Sequence, residues 1–532
     1  MSIITRTNLG LLTVLTASLL GLPLRVHALP GDDPKKATLV LGITVEGLDE
    51  NYLDLLRSRL SDHGFRLLED KGVVLEDVLY GPGVDATAAT AIIYTGATPS
   101  INGVTAATRY DATRRVPVPM LTDAEGNYSA KGLPVSTLAD EVRVSEGGIN
   151  HVYSIAPNAQ QSVIMAGHAG NAAIYLDDVT GRWSVPTAYT EPPTLLPAKN
   201  AGRSSLSIRL DTLRWVPLLD VGQYPGIPAY KKAYPFRHVF PAKDKDRYRA
   251  FKVSAPVNRE VTSLAADLIK GMKLGGGDVA DMVSLAYTVA PYPYSKDSDS
   301  RMEVLDSYLR LDADLGKLFK AVEEGPGMDH TVIFLAGVPA APSSKRDDER
   351  FGIPYGQFSG RKAVALLNMY LIAAHGNGEW VTGYHNRQIH LNANLAKEHG
   401  LEMAALRREA ADFLLRMEGV CEAWIIDEIL SGRAGSASEA LARNTSAATA
   451  GDILLTITPG WEIIDGGTET SLPRAEVSRL ADKTYPVYIM APGVKAQTVG
   501  TTIDACILAP TVARLLRIRS PNAAAGRPLR LR

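Results

Sequence analysis

The chain of 532 residues is 45% hydrophobic and carries a formal net charge of -2 at pH 7. These values are typical of a globular protein with a large core and two to three domains. They argue against collagenous, disordered and nucleic-acid-binding proteins, since a nucleic-acid partner requires clustered Lys and Arg to neutralise its phosphates.

The first 28 residues differ from the rest of the chain. Arg6 precedes an apolar stretch, LGLLTVLTASLLGLPL, which ends shortly before the small residue Ala28. This pattern predicts a cleaved secretory signal peptide at 1–28. A membrane anchor is the alternative, but Gly21 and Pro23 interrupt the run and it is shorter than a spanning helix prefers. We therefore expect a mature protein without a transmembrane anchor, in the periplasm or outside the cell.

Short apolar, β-branched runs alternate along the chain with longer segments whose apolar residues recur at helical spacing. The helical patterns at 48–64 and 300–325 each end in Gly, a common helix stop. Runs that are apolar on both faces favour parallel strands covered by helices on both sides. We therefore predict an α/β fold with a central, mostly parallel sheet sandwiched by helices. The predicted strands lie at 37–45, 150–156, 162–167, 280–289, 331–337 and 486–494.

Two stretches interrupt this alternation. Residues 182–275 hold many Pro, Tyr and Arg with little periodicity, as in an inserted lobe or a long loop excursion. Their Tyr and Arg form either a binding surface or a plain packed lobe. Residues 343–450 combine a helical pattern with a polar segment rich in small residues, and a strand pattern, DILLTITPG, follows. The predicted core is then built from three segments, 29–181, 276–342 and 451–532.

Four motifs, in order along the chain, resemble the alkaline phosphatase superfamily, in the branch of type I phosphodiesterases, nucleotide pyrophosphatases and PafA-like phosphatases. They are VEGLDENYL at 45–53, AIIYTGATPSINGV at 91–104, AGHAGNAAIYLDD at 166–178 and SYLRLDADLGKLF at 307–319. The resemblance implies an alkaline-phosphatase-like sheet with inserted cap lobes. It also implies phosphate-ester hydrolysis by two zinc ions, held by Asp and His ligands, and a Thr or Ser nucleophile.

The positions of the family's metal ligands carry other residues in this chain. Glu46 replaces an Asp after the first strand, and its extra methylene moves the carboxylate outward. Pro291 and Ser295 stand for an Asp-x-x-x-His pair, and Val338 and Pro339 stand for an Asp-His dipeptide. A one-residue shift of the first pair gives Tyr292 and Lys296, which supply no ligand pair either. An Asp-His dipeptide occurs at 329–330, but it enters a predicted strand instead of leaving it.

The last family ligand is a His shortly before the final strand, and no histidine follows His399 in this chain. His168, within AGHAGNAA, is interpreted as a hydrogen-bonded core histidine and not as a ligand. Asp297 and Asp299 could bind a cation loosely, but an acidic turn before a helix is the alternative.

The nucleophile position falls on Ala86, which cannot attack phosphorus. Thr87 follows it and Asp85 precedes it, so a shifted hydroxyl is possible, although a helix-cap or turn hydroxyl is the simpler interpretation of Thr87. Ala107 occupies the position of an Asn that contacts the phosphoryl group in the PafA-like branch.

The PafA-like branch also has a Lys and an Arg in the loop before the third motif. This chain has SIAPNAQQSVIMAGH there, which contains no Lys or Arg. Asn158 and Gln160 are the nearest substitutes; they can hydrogen-bond but supply no charge to offset a transferring phosphoryl group.

Two hypotheses follow. The first is a pseudoenzyme that keeps the fold, has lost the two-zinc site and nucleophile, needs no cofactor, and binds an unknown envelope protein or ligand. The second is an active phosphoric ester hydrolase that uses zinc at an unconventional site built around Glu46, Asp85, Thr87 and Asp297. The pairing of Cys421 with Cys506 and the oligomeric state stay open.

Overall fold

The computed structural model describes residues 36–295, 299–340, 356–464, 475–477 and 483–531. The predicted signal peptide at 1–28 and the candidate ligand Asp297 lie outside the described residues. The strands are β1 (Leu39–Glu46), β2 (Val73–Leu79), β3 (Thr108–Asp111), β4 (Val116–Pro119), β5 (Val152–Ala156), β6 (Ala172–Leu176), β7 (Trp183–Ser184), β8 (Arg214–Trp215), β9 (His238–Val239), β10 (Asp281–Thr288), β11 (Thr331–Val338), β12 (Gln357–Ser359), β13 (Val381–His385), β14 (Gln388–Leu391), β15 (Val420–Ile425), β16 (Ile453–Ile457), β17 (Glu462–Ile464), β18 (Ala475–Val477), β19 (Tyr485–Met490), β20 (Gln497–Val499) and β21 (Ile503–Asp504).

The α-helices range from single turns to more than six turns. They are α1 (Glu50–Leu56), α2 (Phe65–Lys71), α3 (Ala86–Thr95), α4 (Pro99–Asn102), α5 (Leu138–Ser145), α6 (Ala159–Ala166), α7 (Leu196–Lys199), α8 (Leu206–Thr212), α9 (Ala229–Ala233), α10 (Arg247–Lys252), α11 (Pro256–Gly271), α12 (Arg301–Glu324), α13 (Gly360–His375), α14 (Ala393–Glu398), α15 (Met403–Leu414), α16 (Ile426–Leu430), α17 (Glu439–Arg443) and α18 (Leu508–Leu516). None of the helices in the described part of the chain has the length and apolar composition that a bilayer crossing requires.

The central sheet has the strand order β20-β2-β19-β11-β1-β10-β5-β6-β7. β21 also pairs with β2, at residues further along that strand than those that pair with β20. β1 lies in the middle, parallel to β10 on one side and to β11 on the other. The antiparallel pairs in this sheet involve β19 or β7. The sheet is therefore mixed and mostly parallel, as predicted.

Helices cover both faces of this sheet. Along β1, Leu39, Leu41, Ile43 and Val45 point into one core, together with apolar residues of α11 and α12. The opposite core contains residues of α3, α5, α6 and α18. Gly42 of β1 lies on that second face, where a Cβ would collide with Tyr94 and Phe334. The predicted sandwich is confirmed, and its alternating faces follow from the two-residue period of a strand.

One of the strand predictions near the third motif needs correction. The apolar run at 162–167, predicted as a strand, belongs to α6, whose cap is the Asn158 side chain. The strand of this region is β6, which begins at Ala172. A short apolar run fits a buried strand and a buried helix equally well, and here the cap decides.

The excursion after β7 is not a separate lobe with its own core. Its large buried side chains, including Trp215, Phe240 and Phe251, belong to the same cluster as the α12 face of the sheet. α11, which falls inside the predicted lobe at 182–275, packs directly on that face through Val261 and Leu268. The segment predicted to end at residue 275 therefore includes α11, a helix of the central sandwich.

The second insertion does have its own core. β13, β14, β16 and β15 form a four-stranded sheet in that order, and α13 and α15 pack against it. β16, which carries the DILLTITPG pattern, belongs to this sheet and not to the central one. The structure thus extends the insertion, here called the cap lobe, past the predicted boundary at residue 450.

Candidate functional site

Three adjacent parallel strands of the central sheet, β10, β1 and β11, have their carboxyl ends side by side. In the strand register, Glu46 of β1 lies between Thr288 of β10 and Val338 of β11. The ladder continues one step further, because the Gly47 amide donates to the Val338 carbonyl (2.9 Å) and the Val289 amide donates to the Glu46 carbonyl (2.9 Å). In open α/β sheets this edge is the usual place for catalytic groups. Here the three aligned positions carry one carboxylate, one hydroxyl and one alkyl side chain.

The end of β11 is closed by apolar and backbone contacts. Val338 is fully buried, and Pro339 follows it at the end of the strand. The Tyr80 hydroxyl donates to the Gly337 carbonyl at 2.6 Å. The Asp-His dipeptide at 329–330 lies in a 3₁₀ turn before β11, at the opposite edge of the sheet, as the sequence predicts.

The loop after β10 carries Pro291 and Ser295, the predicted counterparts of the Asp-x-x-x-His pair. Pro291 has no ligand atom, and the Ser295 hydroxyl donates to Glu303 Oε1 at 3.2 Å. Glu303 lies on α12 and is 1% exposed, and the Lys231 ammonium of α9 is 3.7 Å from its Oε2. Ser295 is therefore engaged with a buried carboxylate that an ammonium group neutralises.

The first turn of α3 contains Ala86, the predicted counterpart of the nucleophile. Asp85 caps this helix: Oδ1 accepts from the Ala88 amide (2.9 Å) and Oδ2 accepts from the Ala107 amide (2.6 Å). Ala86 is the first helical residue, so the interpretation of Thr87 as a helix cap was wrong. Thr87 is 5% exposed, and its hydroxyl makes no hydrogen bond with a residue that the structure describes.

Of the two polar substitutes, Gln160 lies in the first turn of α6 and holds the backbone around Ala107. The Gln160 amide group donates to the Ala107 carbonyl (2.7 Å) and accepts from the Leu121 amide (2.9 Å). Asn158 caps α6 by accepting from the Gln160 amide at 2.9 Å. Gln160 therefore connects α6 to two other backbone segments, while Asn158 caps the helix that carries Gln160.

The cap lobe contributes a residue that the sequence analysis missed. Arg387, in the turn between β13 and β14, brings its guanidinium against Gly83 in the loop before α3, where a Cβ would collide with it. The Asn444 side chain of the cap lobe donates to the Pro82 carbonyl at 2.9 Å. These residues lie some 300 positions apart in the sequence, so no local pattern could have connected them.

The side chain of His168 makes two hydrogen bonds but is not buried in the core. Its Nδ1 lies 2.9 Å from Asp140 Oδ2 and its Nε2 lies 3.0 Å from the Leu133 carbonyl, while its side chain is 41% exposed. Two acceptors around the ring fit a doubly protonated imidazolium. The hydrogen bond with Asp140 accordingly raises the pKa of His168. Burial opposes the corresponding shift in Asp140, but hydrogen bonds from His168 and from the Thr137 and Ala169 amides lower its pKa.

This pair predicts a pH-dependent contribution to stability. The raised pKa of His168 stabilises the fold below the ordinary histidine value of about 6.5, and this contribution is lost as the pH rises through the folded pKa. We therefore expect the melting-temperature difference between the wild type and His168→Gln to be largest near pH 5 and to shrink above that folded pKa. The exposed His63 offers a control, His63→Gln. An H168Q difference that grows with pH would contradict the imidazolium assignment.

The described residues do not fit a two-zinc centre. In the part of the chain that the structure describes, no three His, Cys, Asp or Glu side chains come together in a group that could hold a metal ion. Cys421 and Cys506 are free thiols, the first exposed and the second buried. A pair of zinc ions would require about six such ligands.

Comparison with known proteins connects this geometry to a family. No protein-family model matches the chain. Alkaline phosphatase PafA of Elizabethkingia meningoseptica is 25% identical over 520 residues, covering 92% of this chain and 93% of that protein. Alkaline phosphatase PhoV of Synechococcus elongatus is 24% identical over 519 residues, covering 92% of both chains.

Among solved structures, wild-type PafA superposes with a TM-score of 0.79 at 23% identity, covering 93% of this chain and 98% of that chain. At this identity the superposition establishes the fold, while the full-length sequence relatives carry the relationship. By fold and by these relatives, the chain belongs to the alkaline phosphatase superfamily.

Proposed function

We propose that this chain is a non-catalytic member of its superfamily, in which the phosphatase fold serves binding or assembly in the cell envelope. The observation that carries the proposal is the row Glu46, Thr288 and Val338 at the ends of three strands in register. The proposed location outside the inner membrane rests on the signal-like pattern of residues 1–28.

The chemistry of two-metal hydrolysis explains why this row matters. Two zinc ions activate the nucleophile and stabilise the leaving oxygen, and each ion needs about three protein ligands. Of the metal-ligand positions at the strand ends, Glu46 alone retains a carboxylate, while Val338 is fully buried and Ser295 contacts Glu303. Ala86 has no nucleophilic atom. Loss of the metal ions and loss of the nucleophile would each lower the rate of hydrolysis by several powers of ten.

An active hydrolase is the second candidate, because the hydroxyl of Thr87 lies in the first turn of α3 without a hydrogen bond to a described residue. The relatives PafA and PhoV are both named alkaline phosphatases, so the reaction would be phosphate-ester hydrolysis. Asp85 is poorly suited to act as its general base, since both carboxylate oxygens already accept backbone amides. Zinc bound through Glu46 would be required only in this second candidate.

The two candidates differ in metal content and turnover. We expect the purified protein to contain zinc far below one equivalent, and to hydrolyse neither an aryl phosphate nor a phosphodiester above background with Zn²⁺, Mg²⁺ or Mn²⁺. Thr87→Ala should leave this background unchanged. Near-stoichiometric zinc, with turnover that Thr87→Ala abolishes and Thr87→Ser retains, would establish the hydrolase instead. The serine variant is the matched control because it keeps the hydroxyl.

A further inference from the structure

The excursion between the first and second segments of the core carries a strong positive charge that the overall balance conceals. Residues 203–250 contain ten Lys and Arg but only four Asp and no Glu, although the whole chain has a net charge of -2. The near-neutral total therefore does not exclude a local basic surface. Such a surface attracts acidic partners and raises their rate of association.

A two-stranded ribbon in this segment presents two of the arginines outward. β8 and β9 pair antiparallel, with Arg214 opposite Val239 and Trp215 opposite His238. Trp215 is 1% exposed and packs edge-on against Tyr292, so its side of the ribbon faces the core. Because side chains alternate along a strand, Arg214 and Val239 face outward. Arg237, two residues before Val239, shares that face.

A cavity of about 380 Å³ lies beside these outward side chains. Leu210 and Phe240, both nearly fully buried, form an apolar floor, and Arg214, Arg237 and Val239 line the opening. Val239 is 46% exposed, so apolar surface extends from the cavity to the solvent. The cavity is thus apolar below and basic at its rim.

The acidic residue of this cavity does not neutralise the two arginines. Asp211 pairs with Arg247 at 2.6 Å. Arg214 donates only to the backbone carbonyls of Asp211 (3.3 Å) and Leu213 (3.0 Å). Among the residues that the structure describes, neither Arg214 nor Arg237 has a carboxylate within ion-pair distance. Two guanidinium groups therefore remain available at the rim.

We propose that this face binds an extended acidic segment of a partner protein, with a carboxylate between Arg214 and Arg237 and an apolar side chain in the cavity. Arginine is well suited to carboxylates because its planar guanidinium donates two parallel hydrogen bonds. A buried apolar anchor beside arginines is the usual composition of a protein interface centre. The apolar floor favours a peptide over a nucleic acid, whose backbone would present phosphates to it.

The extended conformation follows from the ribbon itself. β8 and β9 pair only with each other among the described strands, so each has an outer edge to which an extended segment can add. Alternate side chains of such a segment would point toward the ribbon face. This inference rests on the proposed binding function and names the surface and the kind of partner.

Fluorescence anisotropy with a labelled peptide of alternating Glu and Leu tests the proposal on the full-length protein. We expect saturable binding at low salt that Arg214→Glu with Arg237→Glu weakens at least tenfold. The matched control is Arg203→Glu with Lys232→Glu, which changes the charge equally at two exposed residues of the same segment that do not line the cavity. This control should change the affinity less than twofold. A peptide of alternating Glu and Ser should bind at least tenfold more weakly.

Three results would overturn the proposal. They are equal weakening by the control pair, equal binding of the Glu-Ser peptide, and binding of a single-stranded oligonucleotide of the same charge at least as tight as that of the Glu-Leu peptide. The first two would show that charge alone attracts the probe, and the third would identify a nucleic-acid surface. The zinc and turnover measurements are independent of the peptide. A failed peptide experiment with no turnover would therefore reject this surface and leave the non-catalytic function standing.

Discussion

Asp306→Ala is expected to lower the free energy of unfolding by about 3–5 kcal/mol, because Asp306 is a fully buried charge with four hydrogen-bond donors. Its Oδ2 accepts from Trp215 Nε1 (2.7 Å) and from Arg310 Nε (2.5 Å). Its Oδ1 accepts from the Leu218 amide (2.7 Å) and the Tyr224 hydroxyl (2.8 Å). Alanine would leave these donors without their acceptor, and the side chains of Trp215 and Tyr224 are too buried for water to replace it.

Urea unfolding followed by far-ultraviolet circular dichroism and tryptophan fluorescence measures this loss. The control is Asp54→Ala, which removes a carboxylate from an exposed ion pair with Arg57 at 3.7 Å and should cost less than about 1 kcal/mol. Asp306→Asn provides a second variant of similar shape, in which the amide nitrogen would face donors. If Asp306→Ala cost no more than Asp54→Ala, the carboxylate would not be what fastens the excursion to α12.

The same carboxylate shows which contact of the excursion the sequence could not predict. Its irregular composition suggested an insertion. Hydrophobic periodicity describes which face of a single helix or strand is buried, and it does not show which distant residues that face contacts. Trp215 and Tyr224 are instead fixed by a single residue of α12, about 80 to 90 positions later in the chain. Contacts of this kind are determined by tertiary packing, which a local pattern does not contain.

The middle of the central sheet was predictable for a physical reason. β1, β10 and β11 lie between helices on both faces, so their sequences are continuous apolar runs. β2 was missed because Glu76 and Asp77 interrupt its apolar pattern near the edge of the sheet. The apolar pattern therefore predicts the central strands, whose ends carry Glu46 and Val338, but does not predict β2.

The sequence proposes the candidate site as a set of positions, but it does not contain the contacts between them. The motifs identify Ala86, Ala107 and Gln160 as altered positions, and the side-chain chemistry alone shows that two of them have lost their polar atoms. The sequence could not show that Asp85 and Gln160 both hold the backbone of Ala107. Nor could it bring Arg387 of the cap lobe beside Gly83. These contacts require the fold.

A second buried ion pair joins α9 of the excursion to α12. Lys231 on α9 is 2% exposed and Glu303 on α12 is 1% exposed. The Glu303 Oε1 atom accepts from Ser295 and lies 3.4 Å from His238 Nε2, while its Oε2 atom lies 3.7 Å from the Lys231 ammonium. A charge taken out of water is tolerated when an opposite charge accompanies it. Lys231 therefore places a positive charge beside the same carboxylate that Ser295 contacts.

Lys231→Met should consequently lower the free energy of unfolding by about 3 kcal/mol, because it leaves the Glu303 carboxylate buried without this charge. Adding Glu303→Gln removes that charge, so the double variant should recover at least half of the loss. Lys320→Met at the exposed pair with Glu324 is the matched control and should cost less than about 1 kcal/mol. Urea unfolding of the wild type, Lys231→Met, Glu303→Gln and the double variant completes a double-mutant cycle. Strict additivity of the two single changes would mean that Lys231 and Glu303 do not interact, and that another contact holds α9 against α12.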